Sequence, residues 1–331
     1  MKGQRKRLEV GWKVFPCAMV LFMIFVTPCV GGEDPAKFPS KPITMIIQWS
    51  PGGSTDLSGR KVADLAGKIL GQPIVVENKP GGGGVIGTTA IANAAADGYT
   101  IGTIQYSATT LIPHLRSVPY KTKEDFAWIM QYSEYIFPFC VQSASPWKTF
   151  KEFIEEARRN PGKLSYATQG PLTAQHILLE QIFSSEKVKL NHVPVGGALE
   201  VVQQLLGGHI AAGMSADLLS HVRSGKLRGL AIQGEKRFEL FPDIPTFSEI
   251  GYKAESQLWM AVCAPKGVDP RIIKKLFDAF KQAQESSSFK ELCATLYLRP
   301  VFRDSESLKA MVIRDFDSQK VILKELGFAK P

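Results

Sequence analysis

The sequence predicts an α/β protein of two similar lobes facing each other across a cleft. Short apolar runs alternate with amphipathic helical stretches from Ile43 onward, the pattern of layered α/β folds with a largely parallel sheet. A strand–loop–helix unit of one design occurs twice, beginning at Ile43 and at Leu164. The length, 331 residues, suits two domains of roughly 100–200 residues each.

In the first unit, Ile43 to Trp49 reads as a strand that ends at Ser50-Pro51-Gly52-Gly53-Ser54-Thr55-Asp56. A helical pattern over Leu57 to Leu70 stops at Gly71, and Ile74 to Glu77 forms a second strand. A glycine-rich loop, Asn78 to Gly87, leads to a helix over Thr88 to Ala96 and a strand over Tyr99 to Gln105. Phe126 to Gln131 and Phe137 to Gln142 read as strands, and Thr149 to Arg159 as a helix closed by Asn160-Pro161-Gly162. In the second unit, the strand Leu164 to Thr168 runs into Gln169-Gly170-Pro171-Leu172-Thr173 and a helix over Ala174 to Phe183. Strands at 190–195, 210–215 and 227–233 alternate with helices at 198–206 and 218–224. A late strand, Trp259 to Ala264, precedes amphipathic helices at 271–285, 289–296 and 305–326, which return the C-terminus to the first lobe.

The net charge of +9 overstates the basic character, because residues 1–30 carry Lys2, Arg5, Lys6, Arg7 and Lys13 against Glu9. The remaining +5 is spread without blocks, which argues against nucleic acid and leaves a mild attraction for anions. A cationic stretch, the apolar run Val14 to Val30, and then Gly31-Gly32-Glu33-Asp34-Pro35 read as a secretory signal. That run, interrupted by Pro16 and Pro28, lies at the short limit for a bilayer-spanning helix of about 20 residues. Cys29 is a possible lipid anchor after cleavage, although Pro28 stands where a small residue is expected. Cys140, Cys263 and Cys293 cannot all pair, match no zinc spacing and read as buried small hydrophobes. His114, His176, His192, His209 and His221 are scattered without ligand spacing, so no metal or cofactor is expected.

The chemistry concentrates in the loops ahead of helices. Gly52 and Gly53 permit close backbone approach, and the first N–H groups of the helix that follows have no intrahelical partner. Together with the helix dipole they form an anion site, to which Ser54 and Thr55 add hydroxyls. Asp56 would repel an anion and reads as a brace within the loop. The segment lacks the Gly-Lys-Ser/Thr ending of a nucleotide P-loop. Gly82, Gly84 and Gly87 satisfy G-x-G-x-x-G, but Gln105 and Tyr106 stand where a dinucleotide fold needs an acid, so that reading is rejected. Thr168 to Thr173 repeats the first loop's design on the second lobe, with His176 one turn into its helix. Trp49 and Tyr106 border these loops as candidate walls, whereas Trp147 and Trp259 read as core.

Lys41-Pro42-Ile43, the Pro51 to Asp56 loop, Gly71-Gln72-Pro73-Ile74-Val75-Val76-Glu77-Asn78-Lys79-Pro80-Gly81 and Ala96-Asp97-Gly98-Tyr99-Thr100 together resemble one family: the substrate-binding proteins of tripartite tricarboxylate transporters, or Bug family. Asn191-His192-Val193-Pro194, Leu205-Leu206-Gly207-Gly208, Ser224-Gly225-Lys226-Leu227-Arg228 and Phe241 to Thr246 agree, so the resemblance spans residues 38–327 in order. It implies a two-lobed periplasmic-binding-protein fold (Venus flytrap, type II) in which loops from both lobes hold a ligand carboxylate. On this chain the implied ligand-binding residues are Gly52, Gly53, Ser54, Thr55, Tyr106, Ser107, Thr168, Gly170, Thr173, Ala216 and Asp217. Two positions depart from the family pattern. Val85 replaces an asparagine, and Pro194-Val195-Gly196-Gly197 replaces Pro-Tyr-Lys-Gly, which enlarges or neutralises that side of the pocket.

The resulting expectation is a periplasmic or otherwise extracytoplasmic receptor, not an enzyme. Its signal peptide occupies residues 1–30, its first lobe 38–137 with 257–331, and its second lobe 138–256. It captures a small carboxylate (mono-, di- or tricarboxylate, or an amino acid) and delivers it to the membrane permease subunits of a tripartite transporter. A monomer without cofactor, metal or nucleic acid is expected. Two rival readings use the same residues: a ligand sensor for a membrane signalling protein, and an exported hydrolase built on Ser54 with a distant histidine.

Overall fold

The computed structural model describes residues 34–252 and 258–328. The expected signal sequence, Cys29 and the lobe boundary at 256/257 lie outside the described residues. The strands, in chain order, are β1 (Ile43–Ile47), β2 (Ile74–Asn78), β3 (Thr100–Gln105), β4 (Phe126–Tyr135), β5 (Phe137–Gln142), β6 (Ser165–Thr168), β7 (Asn191–His192), β8 (Ala212–Met214), β9 (Leu227–Gln233), β10 (Trp259–Pro265) and β11 (Leu298–Arg299). The helices are α1 (Ser54–Leu70), α2 (Val85–Ala92), α3 (Ile112–Leu115), α4 (Phe150–Arg159), α5 (Ala174–Ser185), α6 (Ala198–Leu206), α7 (Leu218–Arg223), α8 (Pro270–Glu285), α9 (Ser287–Thr295) and α10 (Ser305–Glu325).

The strands form two sheets, ordered β11-β4-β10-β3-β1-β2 and β7-β6-β8-β5-β9. Both are mixed, which corrects the expectation of a largely parallel arrangement. β1 runs parallel to β2 and β3, but β10 lies antiparallel between β3 and β4. In the second sheet β6 is parallel to β7 and β8, whereas β5 is antiparallel to β8 and β9. The cause is connectivity. β4 passes into β5 through the single buried residue Ile136, and β10 carries the chain back after β9, so neither needs the helical crossover that a parallel neighbour requires. The first crossing from one sheet to the other is therefore a nearly continuous extended segment, Phe126 to Gln142.

Side chains cap most of the longer helices. Asp269 Oδ1 accepts the Arg271 N–H at 2.8 Å ahead of α8, with Pro270 in the first position, and Asp304 Oδ1 accepts the Ser307 N–H at 2.8 Å ahead of α10. Ahead of α4, Thr149 Oγ1 accepts the Glu152 N–H while the Glu152 carboxylate takes the Lys148 N–H, a reciprocal box. Val62, Ala63 and Ala66 of α1 pack with Leu276, Ala279 and Phe280 of α8 over Ile43 and Met45. Each large side chain buried in this way contributes about 1.5–3 kcal/mol.

Several boundaries differ from the sequence reading. α1 begins at Ser54 instead of Leu57, because Gly53 is extended and Ser54 to Asp56 already take helical dihedrals. α2 begins at Val85, capped by Gly84 at φ 93°. The strands expected at 190–195 and 210–215 shrink to β7 and β8. The loop expected after Gln105 is a π-helical turn, Ser107–Leu111, continued by α3. The hydroxyls of Thr109 and Thr110 hold that turn by donating to the carbonyls of Gln105 and Tyr106, each at 2.7 Å. Cys140, Cys263 and Cys293 are buried and unpaired.

Gly87 sets the approach of α2 to the first sheet. A methyl group there would lie 2.9 Å from Gln48 Cα and 3.0 Å from the Lys79 carbonyl oxygen, both backbone atoms. Gly87→Ala should therefore cost about 1–3 kcal/mol of stability. The expected readout is a lower urea midpoint at unchanged slope; an unchanged midpoint contradicts the packing.

Candidate functional site

The site starts at the N-terminus of α1. Gly52, at φ +89°, turns the chain, and its N–H donates to Asp56 Oδ2 at 2.9 Å. The Asp56 carboxylate also accepts from Arg60 Nε (2.9 Å) and Asn78 Nδ2 (2.8 Å), and Asn78 Nδ2 donates to the Trp49 carbonyl as well. Burial works against charge on Asp56, but the Gly52 N–H, Arg60 and Asn78 together hold its carboxyl below the ordinary range. Asp56 is thus a brace facing back into the loop. Unlike its counterparts on α4, α8 and α10, the cap residue Gly53 has no side chain to offer. The first helical bond is Leu57 N–H to Gly53 O at 2.9 Å. The N–H groups of Gly53, Ser54, Thr55 and Asp56 accordingly reach no acceptor among the described residues.

Behind this terminus lies a polar chain anchored by Gln105 at the end of β3. Trp49 Nε1 donates to Gln105 Oε1 at 2.5 Å, and Gln105 Nε2 donates to Thr55 Oγ1 (2.9 Å) and to the Tyr135 hydroxyl (3.0 Å). Thr55 and Tyr135 also bond to each other through their hydroxyls. Two O–H protons serve this pair, and one is spent on the mutual bond. Whichever residue donates it, one hydroxyl proton remains for a further acceptor. Tyr135 stacks on Phe137, with centroids 5.4 Å apart, at the point where the chain crosses from one sheet to the other.

The second lobe's loop is closed by its own atoms. The Thr168 hydroxyl donates to the Gly170 carbonyl (2.9 Å) and pairs with His192 Nε2 (3.1 Å). Thr173 Oγ1 caps α5 by accepting the His176 N–H, and the Leu172 N–H donates to His176 Nδ1 at 3.0 Å. Burial pushes the His176 imidazole down to about 4, so it is neutral at pH 7 and Nδ1 is available to accept. That bond holds Leu172 in the left-handed region at φ +56°, a conformation that costs a non-glycine residue about 1 kcal/mol or more.

A cavity of about 500 Å³ opens between the two loops. Such a volume is in the range of small-molecule sites. Gly53, Ser54, Thr55, Tyr106, Ser107, Gly170, Thr173 and Asp217, all expected from sequence, line it together. Gly52, Thr168 and Ala216 do not: Gly52 points its N–H at Asp56, Thr168 is buried under its loop, and Ala216 is buried ahead of α7. Trp49, a candidate wall, lines the cavity, and Trp259 borders it while fully buried in the core, as the sequence reading had it. Sequence reasoning missed Gln105, Tyr135, Phe137, Gln169, Gln175 and Ala198. Phe137 opened a predicted strand, which was the available signal for it, whereas Tyr135 fell between the strands read at 126–131 and 137–142. Gly83 brings the glycine-rich loop to the rim. Among the described residues, no group of three or more His, Cys, Asp or Glu side chains is arranged to hold a metal ion, and no helix is long and apolar enough to cross a membrane.

The depressed Asp56 carboxyl fixes the sign of a pH effect. Its stabilising contribution is complete above the unfolded value near 3.9 and is lost as the pH falls through the lower folded value. Thermal melts of the wild type and Asp56→Asn should differ by a constant amount from pH 7 to about 4 and converge below that. A gap that stays constant down to pH 2 contradicts the brace.

The family model described as the tripartite tricarboxylate transporter family receptor matches residues 59–328. A Cupriavidus necator relative, the UPF0065 protein in the gbd 5' region, is 37% identical over 295 residues, covering 89% of this chain and 90% of its own. BugT of Bordetella pertussis is 33% identical over 295 residues, covering 88% and 90%. The solved structure of a periplasmic transporter matches with a TM-score of 0.77 at 31% identity, over 88% of this chain and 99% of that one. The chain belongs to the tripartite tricarboxylate transporter receptor family, and its fold is the two-lobed α/β fold of periplasmic binding proteins.

Proposed function

We propose that this chain is an extracytoplasmic receptor that captures a small carboxylate between its lobes, leaves it chemically unchanged and delivers it to the membrane permease of a tripartite transporter. The single observation that carries this reading is the uncapped N-terminus of α1 opening onto the cavity. Each hydrogen bond from an amide to an ionised oxygen is worth roughly 1.5–3 kcal/mol. The helix dipole adds about 0.3–1 kcal/mol. Several such bonds offset the several kcal/mol of desolvating a carboxylate. Association adds a further cost of order 4–15 kcal/mol, which favours a site completed from both lobes on closure. Gly53, Ser54 and Thr55 would hold the carboxylate, helped by the spare hydroxyl proton of the Thr55–Tyr135 pair. Tyr106, Ser107, Gly170, Thr173 and Asp217 would surround the remainder.

This reading takes the first lobe as residues 38–137 with 257–331, the second as 138–256, and residues 1–30 as an export signal, in a monomer. A hydrolase built on Ser54 finds no support, since no histidine lines the cavity among the described residues to serve as its base.

Titration calorimetry against mono-, di- and tricarboxylates and amino acids tests the proposal. A true ligand at a hundred times its dissociation constant adds about 2.7 kcal/mol of stability, visible as a raised melting temperature. The double variant Ser54→Ala with Thr55→Ala should weaken that ligand by roughly 10–100-fold, as expected for one or two lost hydrogen bonds to a charged group, while still folding. Unchanged affinity would overturn the assignment of this loop.

A further inference from the structure

We propose that Asp217 selects the ligand, so that the cleft takes a small monocarboxylate bearing a cationic nitrogen, such as a zwitterionic amino acid, and rejects a second carboxylate. The inference rests on the preceding one, which places the ligand carboxylate at α1.

The two halves of the cavity differ in kind. No lysine, arginine or histidine lines it among the described residues, and Asp217 is the one carboxyl that does. At α5 the Thr173 hydroxyl accepts the His176 N–H and His176 Nδ1 accepts the Leu172 N–H. α6 meets the cavity through Ala198, and its Glu200 carboxylate accepts the Gly196 N–H. A second ligand carboxylate placed beside Asp217 would meet its charge, with no cationic side chain on the cavity lining to compensate.

Asp217 itself is poised to accept. Asp56 spends its oxygens on three donors, whereas the Asp217 side chain receives no hydrogen bond among the described residues. Of the amides that line the cavity with it, Gln169 Nε2 spends one N–H on Ser215 Oγ at 3.1 Å, and Gln175 Nε2 one on Gln169 Oε1 at 3.3 Å. Desolvation raises the Asp217 carboxyl and His221 pulls it the other way; an ammonium group beside it would favour the ionised form. Asp217 lines the same cavity of about 500 Å³ as Gly53, Ser54 and Thr55, so one small molecule can reach both poles. The partly exposed ring of Trp49 lines the same cavity and suits a cation, which is attracted to aromatic faces.

Matched probe pairs test this by calorimetry: the common L-amino acids and γ-aminobutyrate against their des-amino acids, with succinate, glutarate and citrate as multivalent controls. The expected result is binding of at least one amino-bearing probe, at least about tenfold tighter than its des-amino partner, with that preference lost in Asp217→Asn. The variant should melt within a few degrees of the wild type, since Asp217 makes no hydrogen bond to lose. Tight binding of succinate, glutarate or citrate to the wild type, tightening further in Asp217→Asn, overturns the selectivity and leaves the anion site at α1 standing. So does an amino-bearing probe whose affinity Asp217→Asn leaves unchanged. If no carboxylate of any kind binds, the reading of α1 fails and this proposal falls with it.

Discussion

Four backbone N–H groups at the start of α1 have no partner among the described residues, three of them on residues that line the cavity, Gly53, Ser54 and Thr55, and the surrounding structure is arranged around that deficit. Several other helices have a side-chain cap, whereas Gly197 ahead of α6, like Gly53, offers none. Thr149, Thr173, Asp269 and Asp304 each cap their helix with an oxygen. At α1 the cap position is a glycine, and the nearby aspartate is turned away by Arg60, Asn78 and the Gly52 N–H. Leaving helix donors uncapped sacrifices about 0.5–2 kcal/mol of stability, a sacrifice that makes sense where a ligand supplies the acceptor.

Rigidity behind the open amides comes from Gln105. Its side chain ties Trp49, Thr55 and Tyr135 together, and so couples the loop after β1, the first turn of α1 and the strand that crosses to the second lobe. The same crossing is braced from the other side. Arg299 pairs with Glu134 at 2.6 Å and donates to the carbonyls of Lys236 and Arg237, on the segment that leaves the second sheet. The crossing between the sheets therefore lies next to residues that line the cavity.

Much of this was legible in the sequence. Pro51-Gly52-Gly53-Ser54-Thr55-Asp56 announces a turn and a helix start because glycine and short hydroxyl residues have few other uses between an apolar run and an amphipathic one. The bracing role of Asp56 followed from charge alone. What escaped prediction depends on contacts distant in sequence. Sheet direction is set by where β10 returns, not by local pattern. The π-helical turn after Gln105 depends on threonine hydroxyls folding back onto carbonyls. Thr168 resembles Thr55 in its loop, yet His192 and Gly170 claim its hydroxyl and it does not line the cavity. Tyr135 and Phe137 reach the cavity only because two sheets meet there.

The most direct test of the central claim is to observe those amide protons. In a ¹⁵N-resolved NMR titration with a carboxylate that the protein binds, the N–H resonances of Ser54 and Thr55 should move strongly downfield, as expected for new hydrogen bonds to a charged acceptor. Saturable shifts elsewhere in the molecule, with the Gly53 to Asp56 amides unmoved, would contradict it.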